Sequence, residues 1–145
     1  MANIVLNTLA QSGAGGDNTL TLNGTFAGDS TEEIREVRVS TFMTDITTDS
    51  DIYIFPDVAG ILQQVSVVLQ GSISNLNIMT VSISGIDVEG PAFEFTGSSG
   101  EASKEVFNPT GLNTFTSNDN IKVNSDGGAI GGPAAAMFTF TWLPN

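Results

Sequence analysis

Three aspartates lie close together in the sequence, at Asp45, Asp49 and Asp51, and Asp57 follows them. Carboxylate oxygens are the ligands that calcium prefers, and the ion takes about six to eight oxygen ligands. The stretch lacks the glycine-centred Asp-x-Asp-x-Asp-Gly spacing of common calcium loops. We therefore interpret it as a solvated acidic connector, and a metal site formed by Asp45, Asp49 and Asp51 is the weaker alternative.

Asp87, Glu89 and Glu94 could supply the pair of carboxylates that a glycosidase uses. An acidic chain offers many such pairs by chance, and nothing in this spacing indicates that two of them converge in a cleft. The sequence therefore predicts no catalytic residue and no enzymatic activity.

Tyr53 and Trp142 are candidates for stacking on a sugar ring. Trp142 has the same parity as Phe138 and Phe140 in the last apolar run, so packing in the core is the favoured interpretation. Most of the other aromatic residues also fall on core positions of alternating runs. A sugar-binding surface usually displays several exposed rings.

The chain contains neither cysteine nor histidine. Disulfides, thiolate nucleophiles and cysteine-ligated zinc or iron–sulfur sites are therefore excluded. The absence of histidine removes the usual general base and the Ser-His-Asp triad. The glycine-rich stretches at 13–16 and 127–132 lack the lysine of a phosphate-binding loop, so we predict no cofactor.

Charge is strongly unbalanced, because 16 acidic residues against 4 basic ones give a net charge of −12 in 145 residues. Phosphate backbones and anionic membrane surfaces are bound by clustered Lys and Arg, which this chain lacks. No apolar run approaches the roughly 20 residues that span a bilayer, and the first residues lack the positive start of a signal peptide. We predict neither a nucleic-acid partner nor a membrane partner.

The clearest strand pattern lies in the middle of the chain. Apolar and polar residues alternate in 65–70 and 79–84, which predicts two strands that each bury one face. Gly85 suits a tight turn, and 86–88 would then fold back as a short third strand, so we predict a meander. The expected core residues are Val65, Val67, Leu69, Met79, Val81, Ile83, Phe138 and Phe140.

Further short runs predict strands along the rest of the chain, and Gly, Asn, Asp and Pro separate them. The runs are Ile34 to Met43, Ile52 to Pro56, Phe93 to Phe95, Ile121 to Val123 and Ala134 to Trp142. No stretch has a helical period. We therefore predict an all-β antiparallel β-sandwich or jelly roll at 51–145, preceded at 1–50 by an N-terminal arm or edge strands.

Several of these segments resemble the β-sandwich decoration (cement) proteins of tailed bacteriophage heads. The resemblance covers about residues 52 to 143 and rests on Ile52–Pro56, Ala59–Leu62 with Val65–Leu69, Thr80–Gly85, and Asn118–Val123 running into Ser125–Gly128 before the Ala-rich last strand. It implies a non-enzymatic virion protein on the outer surface of a capsid, where it binds the major capsid protein, forms a homotrimer and stabilises contacts between capsomers.

The N-terminal segment has apolar residues at strand spacing, namely Ile4, Leu6, Leu20 and Leu22, around the glycine-rich break at 11–18. We expect these residues to pair with a neighbouring subunit or with the capsid protein, because an added strand gains main-chain hydrogen bonds. The alternative is that they complete the sandwich of their own chain.

Two other functions stay open. One is a carbohydrate- or receptor-binding sandwich on a virion surface. The other is a hydrolase that works through carboxylates alone, which the absence of a convergent pair in the sequence disfavours.

Overall fold

The computed structural model describes residues 36–96, 98–129 and 132–145, which form ten β-strands and no helix. The strands are β1 (Val37–Met43), β2 (Asp49–Ile54), β3 (Gly60–Leu69), β4 (Asn77–Ile83), β5 (Ile86–Asp87), β6 (Glu94–Phe95), β7 (Lys104–Phe107), β8 (Thr114–Phe115), β9 (Ile121–Asp126) and β10 (Ala136–Pro144). Ile4, Leu6, Leu20 and Leu22 lie outside the described residues.

The strands form two antiparallel sheets that pack against each other. The β3 sheet has the order β1-β10-β3-β7, with β8 also paired to β3. The β4 sheet has the order β2-β9-β4-β5, with β6 also paired to β4. The predicted all-β antiparallel sandwich is confirmed.

The core lies between the two sheets and follows from the alternation in the sequence. On β3 and β10, Val67 pairs with Phe138 and Val65 with Phe140, so their inward side chains lie beside one another. On the facing sheet, Val81 pairs with Val123. All eight core residues expected from the sequence are buried. Burying such side chains stabilises the fold by about 1.5–3 kcal/mol each.

The predicted meander is wrong for its first two strands. β3 and β4 belong to different sheets and face each other across the core, and the connection 70–76 carries the chain between the layers. Alternation shows that each strand buries one face, but it does not specify which strand lies beside it. The second half of the prediction is confirmed, since β5 pairs with β4 through a turn at Ser84 and Gly85, both at positive φ.

The edge strand β1 and the first two residues of the edge strand β2 lie within the segment 1–50. β1 pairs only with β10, and β2 pairs only with β9, among the described residues. Val37 and Ile52 are partly buried against the core. Residues 37–50 are therefore edge strands and their connector, and both strands contribute side chains to the sandwich.

The connector between β1 and β2 is held by a buried polar bridge. Asn77 on β4 donates from Nδ2 to the carbonyl oxygen of Ile46 and to Ser125 Oγ, each at 2.9 Å. Ser125 on β9 donates to the same carbonyl at 2.8 Å, and the Ile46 amide donates to the carbonyl of Ala134 at 2.9 Å. Each bond contributes about 1 kcal/mol, and losing one partner costs about 1–3 kcal/mol.

Replacing Val81 by Asp should abolish folding, because an unpaired carboxylate would enter the core beside Val123 at a cost of several kcal/mol, against a total stability of about 5–15 kcal/mol. Thr80→Asp is the matched control, since Thr80 is the exposed neighbour on the same strand. Thermal unfolding followed by circular dichroism should show a cooperative transition for Thr80→Asp and none for Val81→Asp. A cooperative transition for Val81→Asp would contradict this core.

Candidate binding surfaces

Asp45 joins two segments of the chain through the hydrogen bonds of its carboxylate. Its Oδ1 accepts from the Thr47 amide at 2.9 Å, from Thr47 Oγ1 at 2.6 Å and from the Ala134 amide at 3.1 Å. The Thr47 hydroxyl has the largest effect in lowering the pKa of Asp45 below its ordinary value. Asp45 therefore attaches the β1–β2 connector to the residues before β10.

Asp49 and Asp51 lie on the outer side of β2 and share one amide. Asn124 on β9 donates from Nδ2 to both carboxylates, at 2.9 Å each. Tyr53 Oη donates to Asp51 at 3.1 Å, and Lys122 Nζ lies 3.6 Å from its Oδ1. The Asn124 hydrogen bond is the main reason that the pKa of Asp51 is lowered. Within the described ranges, no group of three or more acidic, His or Cys side chains could hold a metal ion.

Asp87 and Glu94 lie at separate places along β4. Asp87 pairs with Ser82 and Glu94 pairs with Ile78, so their partners are four positions apart on β4. This spacing corresponds to about 13 Å of strand. Glycosidase carboxylates are about 5–10 Å apart. Glu89 forms a backbone bridge to Gly111 after β5.

The two aromatic candidates have opposite environments. Trp142 is 3% exposed and packs edge-on against Phe115, with ring centroids 6.0 Å apart, so its predicted core position is confirmed. Tyr53 is 48% exposed and stacks on Phe55, which is 73% exposed, with centroids 6.5 Å apart and an interplanar angle of 18°. The sequence analysis did not identify this pair. The alternation in 52–55 could have predicted it, because a strand that buries Ile54 leaves the rings of Tyr53 and Phe55 on the outside.

Large apolar side chains are concentrated at one end of the sandwich. The connection 55–59, which joins β2 to β3, lies at this end. The β4–β5 turn lies at the same end, because Ile54 at the end of β2 pairs with Ile121, and Ile121 pairs with Ile83 at the end of β4. The exposed residues, which we call the apolar end, are Tyr53, Phe55, Val58, Ile86 and Leu112.

An open cleft within the apolar end separates Ile86 from Leu112, with Ser84 and Asp119 also in its lining. Asp119 accepts from Ser84 Oγ at 2.6 Å and from the Thr116 amide at 2.7 Å. The Ser84 hydrogen bond has the largest effect in lowering the pKa of Asp119. Leu112 has φ of 51°, a left-handed conformation that costs a side chain of this kind about 1–2 kcal/mol. The backbone of Leu112 is therefore strained, and its apolar side chain is exposed to solvent.

On the outer face of the β3 sheet, which we call the β3 face, the charged residues at the strand positions are all basic. Its two basic residues, Arg38 and Lys104, stand on the two edge strands, and no carboxylate occupies its described strand positions. The outward residues are Arg38, Ser40, Phe42, Gln64, Ser66, Val68, Lys104, Val106, Met137, Thr139 and Thr141.

The outer face of the β4 sheet, which we call the β4 face, has the opposite character. It carries five carboxylates and one basic residue, Lys122. The outward residues are Asp49, Asp51, Tyr53, Ile78, Thr80, Ser82, Asp87, Glu94, Lys122, Asn124 and Asp126. This separation of charge depends on strand pairing, so the sequence analysis could not detect it.

Replacing Asp45 by Asn should lower the free energy of unfolding by about 1 kcal/mol at neutral pH, because hydrogen bonds to a charged acceptor are stronger than those to a neutral one. The folded pKa of Asp45 is lowered from 3.8, so its stabilisation is present above that pH and is lost as the pH falls through the folded pKa. Urea unfolding at several pH values should show the variant and the unaltered chain converging below about pH 4. Asp57→Asn, at an exposed position after β2, is the control. A difference that persists unchanged at pH 2 would contradict this role.

Comparisons with known proteins found no protein-family model and no curated protein that matches the chain. Among the residues that the structure describes, no helix is long and apolar enough to cross a membrane.

Proposed function

We propose that this chain is a non-enzymatic structural protein of a virion, which binds the outer surface of a capsid and stabilises contacts between capsomers. The resemblance of residues 52–143 to phage decoration proteins motivates the proposal, and the β-sandwich agrees with it. The partners would be the major capsid protein and further copies of the chain, as a homotrimer. The net charge of −12 is unsuited to binding nucleic acid or an anionic membrane.

The apolar end is the observation that carries this proposal. Exposed large apolar residues scattered singly need no explanation, whereas a group of them on one surface is typical of a site that binds another protein. Here Phe55, Ile86 and Leu112 are each more than half exposed, at 73%, 62% and 58%. Aromatic anchors of this kind contribute much of the affinity of protein interfaces.

The backbone presents these side chains rigidly. Ile54 and Pro56, on either side of Phe55, are buried, so the Phe55 ring is held outward. Ile86 follows the tight turn at Ser84 and Gly85, and Leu112 holds its strained φ. A rigid contact surface loses little conformational entropy on binding, which favours docking on a fixed site such as a capsid.

Phe55→Ser should weaken the affinity for capsids at least about tenfold, because removing an aromatic anchor that is buried in the contact costs about 2 kcal/mol or more. Leu76→Ser is the matched control, since Leu76 is also exposed but lies in the 70–76 connection at the other end of the sandwich. Both variants and the unaltered chain would be mixed with capsids of a virion that is first shown by mass spectrometry to contain the protein, after the native copies are removed. Cryo-electron microscopy should show density on the outer surface for the unaltered chain and for Leu76→Ser. Density only inside the particle, or none, would overturn the proposal.

The Tyr53–Phe55 stack favours carbohydrate binding as the second candidate. Exposed aromatic faces stack on sugar rings, and Asp51 beside Tyr53 could accept a hydrogen bond from a hydroxyl.

Binding to an array of glycans, followed by calorimetry on any hit, separates the two functions. We expect no saturable binding. Saturable binding that Tyr53→Ala abolishes, with Leu76→Ala as the unaffected control, would favour the carbohydrate-binding alternative.

A further inference from the structure

The two outer faces of the sandwich have complementary charges. The β3 face carries Arg38 and Lys104 without a carboxylate at its described strand positions, and the β4 face carries five carboxylates with Lys122. At the rim of the β3 face, Glu36 forms an ion pair with Arg38, which leaves Lys104 as its unpaired base among the described ion pairs. A chain with net charge −12 therefore has one sheet face whose outward strand positions carry no carboxylate.

We propose that the chain associates with copies of itself from head to tail, the β3 face of one copy docking on the β4 face of the next. Two β3 faces together would oppose positive charges, and two β4 faces together would oppose five carboxylates with five. A contact between unlike faces opposes mainly basic residues with mainly acidic ones, and complementary charge determines which surfaces pair and in which orientation.

Apolar side chains on the β3 face would be buried in such a contact, and they supply the apolar area that charge pairs alone do not provide. Phe42, Met137 and Val68 lie side by side on three neighbouring strands, and Lys104 continues the same row on β7. Phe42 is 58% exposed. On the β4 face, Ile78 and Tyr53 are exposed and provide apolar surface of their own. Sheets stacked face to face lie about 10 Å apart, which lets such side chains interdigitate.

The geometry has a defined consequence for assembly. A contact between unlike faces leaves one face of each kind free at the ends, so copies add until the rotation closes a ring or continue as an open row. This inference goes beyond the homotrimer of the proposed function, because faces on opposite sides of a sandwich stack copies in a row and do not close a ring of three, and it does not depend on capsid binding. Its test uses the free full-length chain, so its failure is distinguishable from a failure to bind capsids.

The test uses two double variants, one for each face. Phe42→Glu/Lys104→Glu places negative charge on the β3 face and leaves the β4 face unchanged. Asp49→Lys/Asp87→Lys places positive charge on the β4 face and leaves the β3 face unchanged. All four side chains are exposed, and circular dichroism melts check that each variant folds as the unaltered chain does.

Sedimentation velocity should show that the unaltered chain self-associates and that each variant alone does so at least about tenfold more weakly. An equimolar mixture of the two variants should regain association, because the intact β3 face of one meets the intact β4 face of the other. A symmetric contact between like faces predicts a different result, since the variant that retains that face would associate alone. That result, a mixture that stays monomeric, or a monomeric unaltered chain would each overturn the inference.

A measurement without variants gives an independent check. At about 0.1 M salt the Debye length is about 10 Å, so repulsion between distant charges is already screened, and about 1 M salt screens close pairs as well. Association through opposite charges should therefore weaken at about 1 M salt. Stronger association at that concentration would indicate a purely apolar contact and would contradict the pairing of unlike faces.

Discussion

The carbonyl oxygen of Ile46 is the point on which the two layers of the sandwich depend. The chain crosses there from the β3 sheet to the β4 sheet, and a backbone carbonyl buried at such a crossing must find hydrogen-bond donors. Asn77 and Ser125 supply them from two strands of the facing sheet, and the Ile46 amide reaches Ala134 beside β10. One buried connector is thus hydrogen-bonded to the ends of three strands. Beside it, Asp45 accepts a further hydrogen bond from the Ala134 amide.

This crossing places β1 and β2 at the edges of opposite sheets, and the charge pattern of the molecule follows from it. β1 brings Arg38 and Phe42 to one face, and β2 brings Asp49 and Asp51 to the other. The Asn124 amide reduces the repulsion between the two aspartates on the acidic face by donating to both. Negative charge is therefore held on one side of the sandwich, and the opposite side is left for apolar and basic residues.

The proposed contacts use largely different surfaces of the molecule, and Tyr53 is the residue that both surfaces share. The apolar end is formed by connections at the ends of strands, where Phe55 and Leu112 project, whereas the two faces are formed by the sides of strands. Copies associated through their faces would leave Phe55, Ile86 and Leu112 of the apolar end available for a capsid. An antiparallel sandwich suits this division, because its strands can pack one side on the core and leave the other side to solvent.

The sequence by itself determined the all-β class, the parity of nearly every strand and the core, because alternation is a local property that a buried face imposes on each strand separately. It also placed Trp142 inside and the β4–β5 turn at Gly85. Tertiary structure alone decided that β3 and β4 face each other, that Asn77 is buried beneath Ile46, and that Phe42, Met137 and Val68 form one row. These residues are far apart in the chain, and their proximity depends on which strands pair, a choice made by packing of the whole sandwich and carried by no local pattern. The expected roles of Ile4, Leu6, Leu20 and Leu22 stay predictions, since they lie outside the described residues.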